Sequence, residues 1–252
     1  AAQALKEGQR DISLNLMKAS FSDYNPIKIL PSSIAKKEKL DLIKMGYEAA
    51  KGYDEVISQV TVNYLDQEQN VLIANTEGVL AEDTRVRTRY AVQSVAAKDG
   101  EMQVGHYAPG ASMGYEFYDK VDVREVAREA SRIAKVAVHA DYCPSGNMPV
   151  IIDNEFGGVL FHEACGHALE AEFVSKETSA FANKLGQLVA SPLVTAIDDG
   201  TITNAWGTTN IDAEGTPTQR NVLIENGALK SYLIDKLNGR RMGMASTGSG
   251  RR

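Results

Sequence analysis

One run of strict alternation constrains the fold more than any other feature. Val86, Thr88, Tyr90 and Val92 alternate with Arg85, Arg87, Arg89 and Gln93, so an extended strand here puts apolar side chains on one face and arginines on the other. One face needs a core and the other is left to water, as in an antiparallel sheet covered on one side. Neighbouring segments repeat the pattern. Val60, Val62 and Tyr64 alternate with Thr61 and Asn63, a second run covers Val71 to Ala74, and Asn75-Thr76-Glu77-Gly78 reads as the turn that follows. Asp99-Gly100 then turns the chain toward Met102 and Val104. The expectation is a meander of antiparallel strands.

Helical spacing brackets that meander. Leu40, Ile43, Tyr47 and Ala50 predict a helix over about Ser33 to Lys51, stopped at Gly52. Asp122 with Glu125 forms a capping-box-like start for a stripe of Val123, Val126, Ala127, Ala130, Ile133, Ala134 and Ala137. Residues 1–32 give little beyond a helix-like stretch at Ala1 to Glu7. Cys143-Pro144-Ser145-Gly146 reads as a break, placing a domain boundary near 143–148, with a strand at Met148 to Ile152 opening the second unit. That unit holds a glycine-flanked helix around His162, a strand over Leu193 to Ile197 ending in Asp198-Asp199-Gly200, and a hairpin. The hairpin pairs Asn221 to Glu225 with Leu229 to Ile234 through Asn226-Gly227. Strands interspersed with helices in no regular alternation argue an α+β fold of two units, 1–145 and 146–252.

Composition removes several function classes. With 252 residues, 43 % hydrophobic and 24 % charged, the chain is globular, and no apolar run approaches the ~18 residues a membrane span needs. A formal charge of −6 supplies no field for a polyanion, which argues against nucleic acid or an anionic membrane as the main partner. Two cysteines, Cys143 and Cys165, suit a reducing compartment, so the cytoplasm is expected. No targeting peptide is visible at Ala1. The halt at Arg251-Arg252, directly after Thr247-Gly248-Ser249-Gly250, reads as an excerpt of a longer protein.

Chemistry concentrates in Phe161-His162-Glu163-Ala164-Cys165-Gly166-His167-Ala168-Leu169-Glu170, which holds two of the four histidines. These polar groups interrupt an otherwise apolar, small-residue helix that begins near Gly157-Gly158, and leaving them unpaired in a buried helix would be costly. A zinc site answers the cost: two imidazoles take the metal and the adjacent carboxylate works on water, as in H-E-x-x-H peptidases. Here the histidines are five apart. At about 100° per residue their directions differ by about 140° on an ideal helix, so they converge only if the turn is widened into a π-type bulge or the helix ends there. Gly166 has the backbone freedom for either.

The stretch Phe161 to Glu170 is followed by Thr178-Ser179, Lys184-Leu185-Gly186-Gln187, Asp198-Asp199-Gly200-Thr201, Glu214-Gly215-Thr216-Pro217, Asn221 to Gly227, Met242-Gly243-Met244 and Thr247 to Arg252. Together these resemble the TldD side of the TldD/PmbA (TldD/TldE) metallopeptidase family. The residues before the Cys143 break look like that family's central domain. The resemblance implies a mixed α/β metallopeptidase domain, of which this chain carries the first part, after an antiparallel-sheet-rich central domain. It also implies a zinc-dependent peptidase acting on unfolded or modified peptides, as a heterodimer with a PmbA/TldE-like paralogue that lacks the metal motif. His162 and His167 match the zinc histidines and Glu163 the catalytic glutamate. The third ligand of the family is a cysteine expected beyond residue 252. Some members are labelled modulators of DNA gyrase, which implies no gyrase-like chemistry. A non-catalytic partner subunit is the alternative, and the His162-Glu163-His167 set argues against it.

Other features have a plain reading beside the chemical one. Cys165 is a small core residue or a ligand; Asp198-Asp199-Gly200 is a strand-ending turn or an acidic metal set. Glu170 is a solvated or salt-bridged carboxylate, or it orients a ligand. Gly243 to Gly250 lacks the strand, helix and lysine of a phosphate loop. His106 and His139 are expected at the surface or at a helix cap, and Arg85, Arg87 and Arg89 on a solvated face that could take an anion.

Overall fold

A computed structural model describes residues 15–250, apart from the side chains of residues 155 and 156. The stretch Ala1 to Glu7 and Arg251-Arg252 lie outside the described residues. The chain runs β1 (Met17–Lys18), α1 (Lys36–Lys51), β2 (Ile57–Ala74), β3 (Val79–Lys98), β4 (Glu101–Tyr107), β5 (Gly110–Ala111) and α2 (Val123–Val138). Strands β2 and β3 form one long antiparallel hairpin, in register from Gln59↔Val95 to Ala74↔Leu80. The two runs read in the sequence as separate are thus a single strand. Its polar middle stays extended because every residue there pairs with β3, as in Gln67↔Arg87 and Asn70↔Thr84. The other edge of β3 is shared by β1 in parallel at Val79, β5 at Thr88, and β4 from Val92 to Lys98. Both residues of the Asp99-Gly100 turn have positive φ, 51° and 87°, the geometry that two-residue hairpins favour.

From Val86 to Ala96 the even-numbered side chains of β3 are buried, and α1 and α2 pack over Tyr90, Val92, Ser94 and Ala96. Ala50, Tyr90, Val92, Val126, Ala127 and Ala130 form the centre of this core. The Asp122 side chain accepts from the Arg124 N–H and caps α2, while Glu125 pairs with Arg128 and leaves the capping box open. His139 caps the other end through Nδ1, 2.7 Å from the Lys135 carbonyl. Gly105 lets β4 lie against α2: a Cβ there would come within 2.0 Å of the Ala130 carbonyl oxygen.

The arginine face of β3 is partly covered, with Arg85 and Arg87 half-buried and Arg89 exposed. Arg85 donates to the Ile211 carbonyl at 2.9 Å, and the Arg87 and Arg89 guanidiniums lie 5.7 and 5.4 Å from the Trp206 ring centroid. Asn210 donates to Asp83 at 3.0 Å and accepts the Tyr24 N–H at 2.8 Å. The anion-binding reading of this row therefore gives way to a structural one, because the second half of the chain folds onto it.

No element lies between His139 and Asp153. The strand expected at Met148 to Ile152 does not form; Val150 and Ile151 are 72 % and 100 % exposed, and β-branched side chains without a ladder partner do not make a strand. Next come α3 (Asn154–Phe161), a π turn (His162–Gly166), a 3-10 turn (His167–Leu169), α4 (Ala171–Ser175), β6 (Ala196–Asp199), β7 (Arg220–Glu225), β8 (Ala228–Leu229) and α5 (Lys236–Met242). β6, β7 and β8 form a second antiparallel sheet, with Asn226 and Gly227 at φ 48° and 80° in the tight turn. Leu169, Ala171, Leu223, Ile224, Leu229, Tyr232 and Ile234 make its core. Helices added to two mainly antiparallel sheets give the α+β class expected from the sequence.

Candidate metal centre

The helix that begins at Asn154, capped by the Asp153 side chain, changes its winding at His162. The His167 N–H bonds to the His162 carbonyl, which closes the turn over five residues instead of four. This is the widening that the five-residue spacing demands. The imidazoles of His162 and His167 consequently meet, ring centroids 4.4 Å apart and planes 64° inclined. One donor atom from each of His162, Glu163 and His167 lies within 4.8 Å of the others, and all three residues are exposed. A Glu163 carboxylate oxygen is 3.9 Å from His167 Nε2.

Two nitrogen donors and an oxygen on one small locus fit a borderline divalent ion such as zinc, which accepts both imidazole and carboxylate. Cys165, half-buried, does not join this group. Cys143, His106 and His139 also lie outside it. Asp199 accepts from the N–H and hydroxyl of Thr201 at 2.9 and 2.6 Å; those bonds hold its carboxylate below its usual pKa against a smaller opposing effect of burial, with Arg220 adding to the lowering. That is the turn reading of Asp198-Asp199-Gly200. The glycine-rich segment is fastened by Thr247 N–H to the Ile234 carbonyl and by Gly250 N–H to Asp212.

Glu170, expected as a salt-bridged carboxylate or one that orients a ligand, contacts His167. Its Oε1 is 2.7 Å from His167 Nδ1. Its spacing of three from His167 is the sequence signal for that contact.

Residues 29–138 match the PmbA/TldA metallopeptidase central domain and residues 145–252 the PmbA/TldA metallopeptidase C-terminal domain. The chain belongs to the PmbA/TldD family. A metalloprotease TldD homolog of Haemophilus influenzae is 39 % identical over 93 % of this chain and 49 % of its own length. The corresponding homolog of Buchnera aphidicola from Acyrthosiphon pisum is 36 % identical over 96 % of this chain and 51 % of its own. The chain therefore spans about half the length of these curated relatives. Among solved structures, a Thermotoga maritima protein described as a candidate modulator of a DNA gyrase superposes with TM-score 0.81 at 26 % identity, covering 92 % of this chain and 53 % of that one. TldE from Thermococcus kodakarensis shares the fold at TM-score 0.68 and 22 % identity, over 98 % and 55 %.

Proposed function

We propose that this chain carries the metal-binding core of a zinc-dependent peptidase that hydrolyses unfolded or modified peptides. The meeting of His162, Glu163 and His167 across a widened turn supports that reading most, in a family whose curated relatives are named metalloproteases. His162 and His167 are assigned as ligands and Glu163 as the general base. Zinc held there would supply a Lewis acid for the scissile carbonyl and for water. Glu163 takes the proton of the attacking water and returns it to the leaving amine. With Glu163 kept for that proton, two imidazoles fall short of the three protein ligands of a catalytic zinc; the family resemblance implies a cysteine beyond residue 252 as the third. The open setting of all three side chains suits an extended peptide.

Residues 1–145 are assigned as the central domain and 146–252 as the first part of the metallopeptidase domain. Val150, Ile151, Val159 and Leu160 are 44–100 % exposed on the segment and helix leading into the centre, a surface that a PmbA/TldE-like paralogue would cover. No helix among the described residues is long and apolar enough to cross a membrane; the two free cysteines favour the cytoplasm as its place of work.

Metal analysis and peptide cleavage test the reading together, in the complete enzyme with its paralogue present. Glu163→Gln should retain zinc while hydrolysis of an unstructured peptide falls at least ~100-fold. His162→Ala should lose both. Undiminished cleavage by Glu163→Gln would overturn the mechanism and favour a non-catalytic subunit.

A further inference from the structure

We propose that Glu170 is the positioning residue of this centre: its carboxylate fixes His167 as the Nδ1–H tautomer and presents Nε2 toward His162 and Glu163. The inference rests on the metal reading above and deepens it. A carboxylate only accepts, so across the 2.7 Å contact between Oε1 and Nδ1 the imidazole is the donor. A neutral ring that donates from Nδ1 keeps its lone pair on Nε2. Nε2 is the nitrogen that faces Glu163, at 3.9 Å.

The backbone makes Glu170 a firm support. Its ψ of 132° takes the chain out of the helix, and it pairs with Leu233 in a parallel bridge. Leu233 donates to the Leu169 carbonyl at 2.9 Å and accepts from the Ala171 N–H at 2.8 Å. Leu169 and Ala171, on either side, are 0 % and 1 % exposed. Glu170 thus stands on the buried core of the β7–β8 unit, while His162 and Glu163 stand on an exposed helix end. His167 joins the two, and a histidine ligand held by a carboxylate on its far nitrogen is oriented and made more basic. The two glutamates divide the work: Glu163 faces the reacting side and Glu170 the supporting side.

Two measurements test this on the whole protein. Long-range proton–nitrogen NMR of the metal-free protein, with the His167 signals identified by their loss in His167→Ala, reads the tautomer; competition with a chromophoric chelator reads the zinc Kd. Wild type should show Nδ1–H, and Glu170→Ala should lose that preference and raise the zinc Kd about 10–100-fold. Glu170→Gln, whose amide oxygen accepts the same bond, should restore the tautomer and most of the affinity. An unaltered tautomer and Kd in Glu170→Ala, with zinc lost in His167→Ala, would overturn the positioning role and leave the metal centre standing. A tautomer that follows Glu170 in a protein whose wild type takes up no zinc would uphold the positioning role and overturn the metal reading.

Discussion

Gly166 sits at φ −56° and ψ −52°, values any residue adopts, although its position between the histidines suggests a backbone with special freedom. The winding changes through the His167-to-His162 hydrogen bond, and glycine's contribution is space: a Cβ there would touch the His162 ring at 3.4 Å, an ordinary contact. Gly166→Ala should therefore fold, with a stability gain of roughly 0.5–1 kcal/mol from the lower entropy of the unfolded chain. Its zinc affinity should stay close to wild type, whereas the γ carbons of Gly166→Val would press on His162 and weaken binding. Urea midpoints and chelator competition check both. A marked loss of stability in Gly166→Ala would mean that the turn depends on conformations only glycine reaches. At this scale the sequence was informative about which side chains meet and that the turn must widen. It was less so about Glu170, whose contact depends on the chain leaving the helix after Leu169.

Among the elements, the turns were the most legible, because Asp99-Gly100 and Asn226-Gly227 encode their own geometry. The extent of β2 was not, since its polar middle is held by pairing with β3 and carries no local strand signal. The core between β3 and the helices holds a tyrosine cluster with a consequence at alkaline pH. Tyr64 stacks on Tyr118 at 5.4 Å, Tyr90 meets Tyr118 edge-on at 6.3 Å, and the Tyr90 hydroxyl donates to the Leu42 carbonyl at 2.8 Å. Burial pushes the Tyr90 phenol up to about 12 and raises Tyr64 and Tyr118 as well. Unfolded phenols titrate near 10, so above that pH the folded chain keeps protons that the unfolded chain releases. Stability should be intact below about pH 10 and fall as pH rises toward about 12. Urea midpoints across that range measure the slope. Tyr90→Phe should flatten it while losing about 1 kcal/mol at neutral pH with the Leu42 bond. A slope indifferent to Tyr90→Phe and Tyr118→Phe would place the alkaline loss elsewhere.

The join between the two halves is the part of the molecule least visible in the sequence. The arginine row looked like a solvated face because Trp206, Asn210 and Ile211 lie far along the chain, and no local pattern announces that they return to β3. Lys236 also pairs with Glu77 at 2.6 Å, and Asn75 donates to the Glu214 carbonyl at 3.3 Å. Asn210 and Asp83 are 7 % and 8 % exposed, so removing one partner strands a buried polar group at about 1–3 kcal/mol. Trp206 adds stacking under two guanidiniums, roughly 0.5–1 kcal/mol each where exposed. With the join intact, the protein should melt in one calorimetric transition, and zinc, binding only the folded state, should raise its Tm. Combining Asn210→Ala with Trp206→Ala should divide the transition in two. Zinc should then raise only the one that belongs to the β6–β8 half, where His162 and His167 reside. If both transitions still move together with zinc, the halves communicate through contacts other than these, and the arginine row is not what couples them.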